Sequence, residues 1–374
     1  MKLSILTEKL QKGISFISKI SSKKVSLPIL ENILISTEKN FLKLSVTNLE
    51  TGIYWYSLAK IEKEGKICVQ KEFFEDLIFL LPPGKIELEE KKLILEVKTK
   101  NFSSKIKGQD PEEFPIIPQP KEEEFVLVNS KDFCKYIKKV LNLPATSLAR
   151  PEISGILLEF TPNEIKIVAT DSFRLAEERI PKKTGISKDF SLILPQISAR
   201  EIYNIFSQEE REIKIYPSVN QFFLESQMIE LKKPEIQYTC RLIEGEYPNY
   251  TDIIPKKFGT EVVLNKEEFL QKIKTASLFS SKINEIKLKF LPKENKIEIF
   301  SENPNLGEVR TEISRKVKGK ELRISFNYKF LIDGLLSIDE NEFIFSLTDS
   351  EGPAMIKPLE KQNYFYLLMP IKMS

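Results

Sequence analysis

The chain carries few of the side chains on which catalysis usually depends. It has no histidine among its 374 residues, which removes the commonest general base and the commonest metal ligand. Its 3 cysteines, Cys68, Cys134 and Cys240, are widely spaced and odd in number, so they predict neither a disulfide framework nor a CxxC metal site. Neighbouring carboxylates such as Glu89 and Glu90 lie in charge-rich stretches and are more typical of solvated turns. We expect no cofactor, no metal and no catalytic centre.

Motifs for nucleotide binding and covalent catalysis are also absent from the sequence. There is no GxxxxGK[ST], GxGxxG, HExxH or GxSxG pattern. The stretch LLPPGKIELE (80–89) has only a Pro-Gly turn followed by Lys85. The sequence therefore favours a binding protein over an enzyme, which stays the weakest of the alternatives.

One turn carries residues that suit recognition of another protein. IKIVATDSFRLAEERI (165–180) predicts two strands that meet at a polar corner. Phe173, Arg174 and Leu175 follow this corner, where Gly, Asn, Asp or Ser would be usual. The stretch YFYLLMPIKMS (364–374) is rich in adaptable apolar residues. An exposed apolar patch beside an arginine suits a bound peptide, whereas Phe173 and Leu175 could instead be core residues of a tight strand pair.

The composition is that of a soluble globular protein with more than one domain. The chain is 41% hydrophobic and 30% charged, with a net charge of +3. Its length is too great for one ordinary core and suits two or three domains. No apolar run reaches the roughly 18 residues of a membrane span, and the charged start predicts neither a secretory signal nor export. We expect a cytoplasmic protein whose affinity for nucleic acid depends on where its lysines lie.

A weak internal repeat, roughly 120 to 130 residues long, divides the chain into units of ordinary domain size. Each copy begins with a helix whose apolar positions follow the spacing i, i+4, i+7 of one buried face. These positions are Leu10/Ile14/Ile17, Phe133/Ile137/Val140 and Phe269/Ile273/Ala276. The start signals of these helices are Thr7, Asn129-Ser130, and Asn265 with Glu268.

Each copy continues with a strand pair, a second helix and further strands. The second helices are predicted in KEFFEDLIFLL, SAREIYNIF and NYKFLIDGLL. The first two copies end alike, in IKGQDPEEFP and IEGEYPNY, where Gly and Pro mark a break. We therefore predict three tandem α+β domains, 1–122, 123–255 and 256–374.

The first helix of each repeat is basic on the side opposite its apolar face. A helix turns by about 100° per residue, which places a set of lysines on these sides. They are Lys12, Lys19, Lys131, Lys135, Lys138 and Lys274. For any one helix this is typical of a solvated surface. Three equivalent helices instead favour one shared anionic partner. Lysine suits phosphate contact without base readout, and the absence of an aromatic ladder favours duplex over single-stranded DNA.

Five further stretches carry a resemblance over the whole chain. They are SLPILENILI (26–35), ARPEISGILLEF (149–160), ATDSFRLA (169–176), EGEYPNY (244–250) and LLMPIKMS (367–374). Because these five stretches occur in this order, the chain resembles the β subunit of bacterial DNA polymerase III, the sliding clamp family. The resemblance implies a non-enzymatic head-to-tail homodimeric ring of six domains, with helices inside and sheets outside. The implied partners are double-stranded DNA, the replicative polymerase, the clamp loader and repair or translesion polymerases.

The resemblance also assigns residues. It places Lys24, Lys71 and Arg150 toward DNA, whereas Gln196 stands where a basic residue is frequent and Arg200 lies one helical turn on. Ring closure is expected near Ile106 on one side and Leu278 with Phe279 on the other. A monomeric three-domain binding module without ring closure remains the alternative.

The implied peptide pocket combines the corner, the 244–254 stretch and the C-terminal tail. Its floor is expected from Leu175, Pro248, Leu368 and Met369, and Arg174 is expected to meet polar parts of the motif. Phe173 replaces a frequent histidine, and Asp252 stands where arginine can occur, so we expect a less positive rim. The full set is Ile153, Thr170, Ser172, Phe173, Arg174, Leu175, Pro248, Ile253, Leu367, Leu368, Met369, Pro370, Ile371 and Met373.

Overall fold

The computed structural model describes residues 1–21, 27–121, 124–145, 149–229, 231, 233–361 and 363–372. The chain forms two compact units. Unit 1 comprises Met1–Lys135, Gly185–Ser187 and Ile197–Leu242, and unit 2 comprises Tyr136–Thr184, Lys188–Gln196 and Ile243–Ser374. In the described ranges, no helix is long and apolar enough to span a membrane.

The helices lie where the apolar spacing predicted them. They are α1 Thr7–Ile17, α2 Lys71–Leu80, α3 Ser130–Val140, α4 Gln196–Phe206, α5 Lys266–Ser277 and α6 Tyr328–Leu336. The three predicted stripes on α1, α3 and α5 are all buried. The predicted cap of α5 is confirmed, because the side chain of Asn265 accepts a hydrogen bond from Glu268 N at 3.0 Å.

Strands make up most of the remaining described chain. The first half contains β1 Lys2–Leu6, β2 Asn32–Glu38, β3 Phe41–Thr47, β4 Thr51–Leu58, β5 Lys60–Lys63, β6 Lys66–Gln70, β7 Lys85–Lys91, β8 Ile94–Lys98, β9 Ser103–Lys107, β10 Val126–Asn129, β11 Gly155–Phe160, β12 Glu164–Thr170 and β13 Arg174–Pro181. The second half contains β14 Phe190–Pro195, β15 Glu212–Tyr216, β16 Gln221–Gln227, β17 Pro234–Arg241, β18 Thr260–Asn265, β19 Glu285–Leu291, β20 Lys296–Asn303, β21 Gly307–Ser314, β22 Val317–Gly319, β23 Leu322–Asn327, β24 Glu342–Leu347, β25 Ala354–Pro358 and β26 Tyr364–Leu368.

Unit 1 contains two sheets. One is 5-stranded, in the order β5-β1-β7-β8-β9, and the other is 8-stranded, in the order β10-β15-β16-β17-β4-β3-β2-β6. The larger sheet joins strands of the first and second repeats through the antiparallel pair β17 and β4. Alternation of buried and exposed residues along these strands puts one face of each against α-helices.

Unit 2 is built in the same way. Its 9-stranded sheet has the order β14-β11-β12-β13-β26-β25-β24-β18-β22, and its 4-stranded sheet has the order β21-β20-β19-β23. Here the second and third repeats are joined through the antiparallel pair β13 and β26. The chain is therefore an α+β protein of three tandem similar domains, as the repeat predicted.

Matched hydrogen bonds align the three repeats residue by residue. In each repeat, one residue just beyond the last strand donates its backbone N–H to the strand that precedes the second helix. The three bonds run from Gln109 N to Cys68 O (2.9 Å), from Ile243 N to Ile193 O (3.0 Å) and from Ile371 N to Ser325 O (2.8 Å). Counting back three residues makes Ile106, Cys240 and Leu368 equivalent.

Candidate partner-binding site

A cluster of apolar side chains covers one face of the 9-stranded sheet where β13 meets β26. Leu175 on β13 lies directly opposite Leu367 on β26, and they are only 1% and 3% exposed. The cluster is completed by Leu157, Val168, Tyr250 and Met355, with Tyr247, Ile254, Phe258 and Phe365 packed against it. This cluster forms a dense apolar floor in unit 2.

Three apolar side chains remain exposed around this floor. Phe173 is 62% exposed, Ile253 56% and Met369 38%. The backbone N–H of Met369 donates to Phe173 O at 2.8 Å, and Ile371 N donates to Ser325 O at 2.8 Å. The tail is thus held beside the corner at Met369 and is tied at Ile371 to β23 of the 4-stranded sheet. We name Phe173, Ile253 and Met369 the apolar rim.

The corner itself is held by its own side chains. The Oδ1 atom of Asp171 accepts hydrogen bonds from Phe173 N and Arg174 N, both at 2.9 Å. The hydroxyl of Thr170 donates to Arg174 O at 2.7 Å and accepts from Ser172 N at 3.1 Å. These bonds hold Ser172 in the left-handed region with φ 77°, which costs energy for a residue with a side chain. These bonds define the shape of the corner, which presents Phe173 to solvent.

Arg174 is used almost entirely by the chain. Its Nε donates to Asp171 Oδ2 at 2.9 Å, and its Nη2 donates to Asn142 O at 3.2 Å. Its Nη1 bonds Asp333 of α6, and the guanidinium stacks over the ring of Phe330 at 4.5 Å. The Arg174 side chain is 11% exposed. The unusual arginine that follows the turn is thus explained by its contacts, because the largely buried Arg174 side chain links the corner to α6.

The equivalent position in unit 1 has the same backbone but polar side chains. Asn48 Oδ1 accepts from Glu50 N and Thr51 N, as Asp171 does from its own neighbours. Arg241 N donates to Glu50 O at 2.8 Å, the counterpart of the bond from Met369 to Phe173. The residues that replace the apolar ones are Glu50 for Phe173, Gly52 for Leu175, Thr239 for Leu367 and Arg241 for Met369.

The chain itself fills the space above Gly52. A methyl group on Gly52 would lie 2.5 Å from Cγ2 of Ile117, and the hydroxyl of Tyr54 donates to Ile117 O at 3.1 Å. A leucine at position 52 would therefore clash with Ile117, near the end of the first repeat. The corners of the first and second repeats therefore share one backbone fold. Of these two, the corner of the second repeat has the apolar rim and the apolar floor.

The predicted basic residues lie mainly on exposed positions. Exposed on their helices or nearby turns are Lys12, Lys19, Lys135, Lys138, Arg150, Arg200 and Lys274. Lys12 pairs with Glu209 at 3.0 Å, and Arg150 lies 3.4 Å from Glu152. Lys71 differs from the expectation, because its side chain is only 8% exposed and has a contact within the chain. Lys24 lies outside the described residues.

The residues predicted at a dimer interface differ in exposure. Leu278 is 70% exposed and follows α5, and Phe279 is half-buried. Ile106 is only 6% exposed, because it points to the buried face of β9. It lies, however, on the last strand of the 5-stranded sheet, whose other edge is β5.

Family models match almost the whole chain. The N-terminal, central and C-terminal domain models of the DNA polymerase III beta subunit match residues 1–118, 127–249 and 251–372. The chain belongs to the DNA polymerase III beta subunit family. Clamps of this family are processivity factors of DNA replication and not enzymes. The matched ranges leave gaps at 119–126 and 250, near the predicted domain boundaries.

Curated and solved clamps are similar over their full lengths. The beta sliding clamp of Bacillus subtilis is 26% identical over 384 residues and covers 100% of both chains. That of Staphylococcus aureus is 27% identical over 364 residues, covering 95% of this chain and 94% of the other. The crystal structure of the Bacillus subtilis clamp has a TM-score of 0.94 at 25% identity, and the Thermotoga maritima beta subunit has 0.90 at 26%, each with 100% coverage of both chains.

The clamp fold places the predicted pocket residues unevenly. Leu368 was expected in the floor, but it lies opposite Arg174 and is fully buried on the other face of the sheet. Successive side chains of a strand point to opposite faces, so Leu367 and not Leu368 meets Leu175. Ile153 and Thr170 are also buried. Met373 lies outside the described residues, and the others, Ser172, Pro248, Pro370 and Ile371, retain partial or full exposure.

Sequence reasoning missed eight residues of the floor, namely Leu157, Val168, Tyr247, Tyr250, Ile254, Phe258, Met355 and Phe365. The two tyrosines belong to the stretch EGEYPNY, which indicated a break and contributed to the family resemblance, but neither tyrosine was assigned to the pocket. Tyr250 donates to Glu177 at 2.6 Å beneath the floor. Burial raises the pKa of the Tyr250 hydroxyl, and the bond to Glu177 raises it further. The phenol therefore stays a neutral donor that holds the 244–254 stretch on the sheet.

No group of three or more potential metal ligands occurs among the described residues. Burial raises the pKa of Cys68, Cys134 and Cys240 to about 12 in each case. These thiols are therefore neutral and inert at physiological pH.

Proposed function

We propose that this chain is a DNA sliding clamp that closes as a head-to-tail dimer around duplex DNA. It holds the replicative polymerase and other partners on the template by binding their peptide motifs at the apolar rim. The observation that supports ring closure most strongly is a strand pairing between repeats that occurs twice within the chain. Among the described residues, the two strands that would form a third such pair are edge strands without this partner.

Both joins between repeats follow one rule. The last strand of a repeat pairs antiparallel with the strand that follows the corner of the preceding repeat. In unit 1, Cys240 of β17 lies opposite Thr51 of β4. In unit 2, Leu368 of β26 lies opposite Arg174 of β13. The rule leaves β9, the last strand of the first repeat, and β21, the strand after the third corner.

A second chain supplies the missing partner of each strand. The matched bonds make Ile106 equivalent to Cys240 and Leu368, and the hairpin pairing of Asn303 with Gly307 makes Gly307 equivalent to Thr51 and Arg174. Ile106 of one chain then lies opposite Gly307 of the other, and Lys105 lies opposite Glu308. Lys105 and Glu308 are both exposed in the single chain, so the pairing joins opposite charges. Such a contact is heterologous and closes with two chains.

The first repeat, which contains β9, also has a helix, α2, with exposed apolar side chains on one face. On α4, Ser198, Glu201, Ile202 and Ile205 are buried, and Glu201 accepts from Ser21 N of the first repeat at 2.7 Å. The equivalent positions on α2 are Phe73, Asp76, Leu77 and Leu80. Phe73 is 53% exposed and Leu80 83%, which is unusual for large apolar side chains on one helix face.

The segment after α5 has the chemistry that this α2 face needs. The part of the first repeat that covers α4 follows α1, and its counterpart in the third repeat follows α5. There Leu278 is 70% exposed and Ile283 59%. We propose that Leu278 and Ile283 of one chain cover Phe73 and Leu80 of the other, so that the interface combines a strand pair with an apolar helix contact.

Sedimentation velocity of the purified chain tests the ring directly. We expect a dimer at micromolar concentration, because a strand pair and an apolar helix contact at two interfaces bury enough surface for a stable assembly. A monomer at every concentration up to tens of micromolar would instead support the alternative, a three-domain binding module without closure.

The exposed lysines suit weak contact with a sliding duplex. Topological closure lets each phosphate contact stay weak, because the ring cannot leave sideways. Lysine is a flexible point charge that does not read bases. The residues assigned to DNA contact are Lys12, Lys19, Lys24, Lys135, Lys138, Arg150, Arg200 and Lys274. Lys71 would contact a phosphate by exchanging its present contact within the chain for it.

Replacement of Lys19 and Lys274 by glutamine is predicted to weaken binding to a short duplex without changing sequence preference. The slope of log K against log salt should fall by about 1 for each phosphate that is no longer bound. Fluorescence anisotropy at several salt concentrations measures this slope. Lys63→Gln on β5 is the matched control and should leave it unchanged. Equal slopes for the lysine variants and the control would remove both residues from the DNA interface.

The charge at the rim predicts a preference among partner motifs. Asp252 is exposed and accepts a hydrogen bond from Asn249 at 2.9 Å. Because this carboxylate repels acidic residues of a bound peptide, Asp252→Arg should raise affinity for an acidic motif peptide by about 1 kcal/mol, roughly fivefold. A neutral peptide of the same length serves as the control in calorimetry. An equal gain for both peptides would show that Asp252 does not act through charge.

A further inference from the structure

We propose that Arg174 is a positioning residue of the pocket, which holds the corner through Asp333 of α6 and does not bind the peptide's charge. This inference rests on the proposed function of the rim. It departs from the expectation that Arg174 meets polar parts of a partner motif.

The first argument is that every nitrogen of the guanidinium already has a partner within the chain. Each of its three nitrogens has a partner within the chain: Asp171 Oδ2 for Nε at 2.9 Å, Asn142 O for Nη2 at 3.2 Å, and Asp333 for Nη1. Its flat side lies over Phe330. The remaining N–H donors of the five belong to a side chain that is only 11% exposed. A peptide carboxylate that reached them would also lie close to the two carboxylates already bonded to Arg174, which repel it.

The second argument is charge. Arg174 carries one positive charge and its two bonded carboxylates carry two negative ones, so the group is net negative. An acidic side chain that approaches the rim meets no free positive charge from Arg174. The recognition of a peptide is therefore left to the apolar rim, the floor and the backbone groups beside Met369, and the exposed cation at the corner is Arg150, whose Nη1 donates to Ser172 Oγ at 3.3 Å.

The third argument is the connection from Arg174 to the rim. Asp171 bonds Arg174 with one carboxylate oxygen and uses the other to accept from Phe173 N and Arg174 N. Phe173 O then accepts from Met369 N. Asp333, Arg174, Asp171, Phe173 and Met369 thus form one continuous line of bonds from α6 to the rim.

The equivalent corner in unit 1 reaches its helix by a different route, in which Asn48 Nδ2 donates to Ser21 O at 3.0 Å and Ser21 N donates to Glu201 of α4 at 2.7 Å. Thr51 stands in the place of Arg174 there, and the corner still folds with Asn48 in the role of Asp171. A corner of this shape thus forms without an arginine. What distinguishes the second repeat is that its connection runs through a charged arginine side chain and ends at Phe173 and Met369, and we infer that it serves to hold these two residues in place when a peptide binds.

The test compares three variants with a matched control and two labelled peptides. The variants are Asp333→Ala, Asp333→Asn and Arg174→Gln, and the control is Lys329→Ala, an exposed residue of the same helix. One peptide carries an acidic motif, and the other has amides in place of its carboxylates. A nitroxide on Phe173→Cys reports the mobility of the corner, since the native cysteines are no more than 1% exposed. Glu50→Cys gives the same probe at the equivalent corner.

We expect Asp333→Ala and Arg174→Gln to weaken both peptides by about the same factor, five- to tenfold, as loss of preorganisation does. The nitroxide at 173 should become more mobile, whereas the probe at 50 should not change. Asp333→Asn keeps the shape and one acceptor, so it should recover most of the affinity and of the order at 173. Lys329→Ala should match the unchanged protein.

Two results would overturn the proposal. One is a loss on Arg174→Gln that is more than threefold greater for the acidic peptide than for the neutral one, which would make Arg174 a ligand. The other is unchanged affinity and unchanged mobility in Asp333→Ala. If the unaltered protein bound neither peptide, the pocket itself would be refuted, while the nitroxide at 173 would still decide whether Asp333 orders the corner. Melting temperatures identify any variant that fails to fold, and Asp333→Asn then decides.

Discussion

Lys105→Glu combined with Lys107→Glu is expected to turn the dimer into monomers at concentrations where the unaltered chain stays closed. The change places a carboxylate at position 105 opposite Glu308 of the second chain, and another at position 107 on the adjacent diagonal of the strand pair. At roughly 1 kcal/mol for each like-charge pair, and with two interfaces in each ring, the dimer should weaken by about 3 kcal/mol or more, at least 100-fold. Sedimentation equilibrium at low salt measures the change.

The rescue experiment is more decisive than the loss. Glu308→Lys restores opposite charges in the double variant and should recover most of the dimer affinity. Lys63→Glu, on the opposite edge strand of the same sheet, is the control and should remain dimeric. The register can be checked separately with Lys105→Cys and Glu308→Cys, which should form a disulfide between chains. Dimers that form this bond poorly, but join Lys107→Cys to Glu308→Cys well, would show a register shifted from the predicted one.

Phe173→Ala combined with Met369→Ala is expected to weaken partner binding strongly while leaving the fold and the dimer intact. Both side chains are exposed in the chain, so their removal creates no internal cavity. In a complex they become the apolar contacts that surround a peptide. Truncation of two such side chains costs about 2 to 4 kcal/mol together, which corresponds to a 30- to 1000-fold loss of peptide affinity. Calorimetry with a partner motif peptide measures it.

The repeat supplies a matched control for the pocket. Leu49 is 50% exposed at the equivalent corner in unit 1, where the floor is replaced by Gly52 and Thr239. Leu49→Ala should therefore leave peptide affinity unchanged. A similar loss from Leu49→Ala would indicate that motifs bind at both corners. Retained affinity in the double variant would show that the peptide does not use the rim.

The elements of the fold follow from local rules that the sequence displays openly. The first helices were predicted because apolar residues at i, i+4 and i+7 can be buried on one face of a helix, and Asn265 with Glu268 marked a helix start that the structure confirms. The strand pairs were predicted because apolar and polar residues alternate along them, as in a strand with one buried face. The joins between repeats were not predicted, because the pairing of β17 with β4 and of β26 with β13 depends on strands far apart in sequence.

The side on which a residue points was the least predictable property of the site. Leu367 and Leu368 are both apolar, and a one-residue change of register exchanges their roles. The pairing of Leu175 with Leu367 decides this, and it is a long-range contact. Lys71 and Ile106 were assigned from resemblance alone, and burial of both depends on packing that no local pattern records. The position of Arg174 depends in the same way on Asp333, far along the chain.

The clearest test of the account is the retention of the loaded protein on nicked circular DNA compared with the same DNA made linear. A clamp loader places the chain on the circle, and gel filtration separates bound from free protein. The account predicts that the dimer stays on circles, leaves after linearisation, and is lost from circles when Lys105 and Lys107 are replaced by glutamate. Equal retention on circular and linear DNA would contradict topological closure, and with it the central claim.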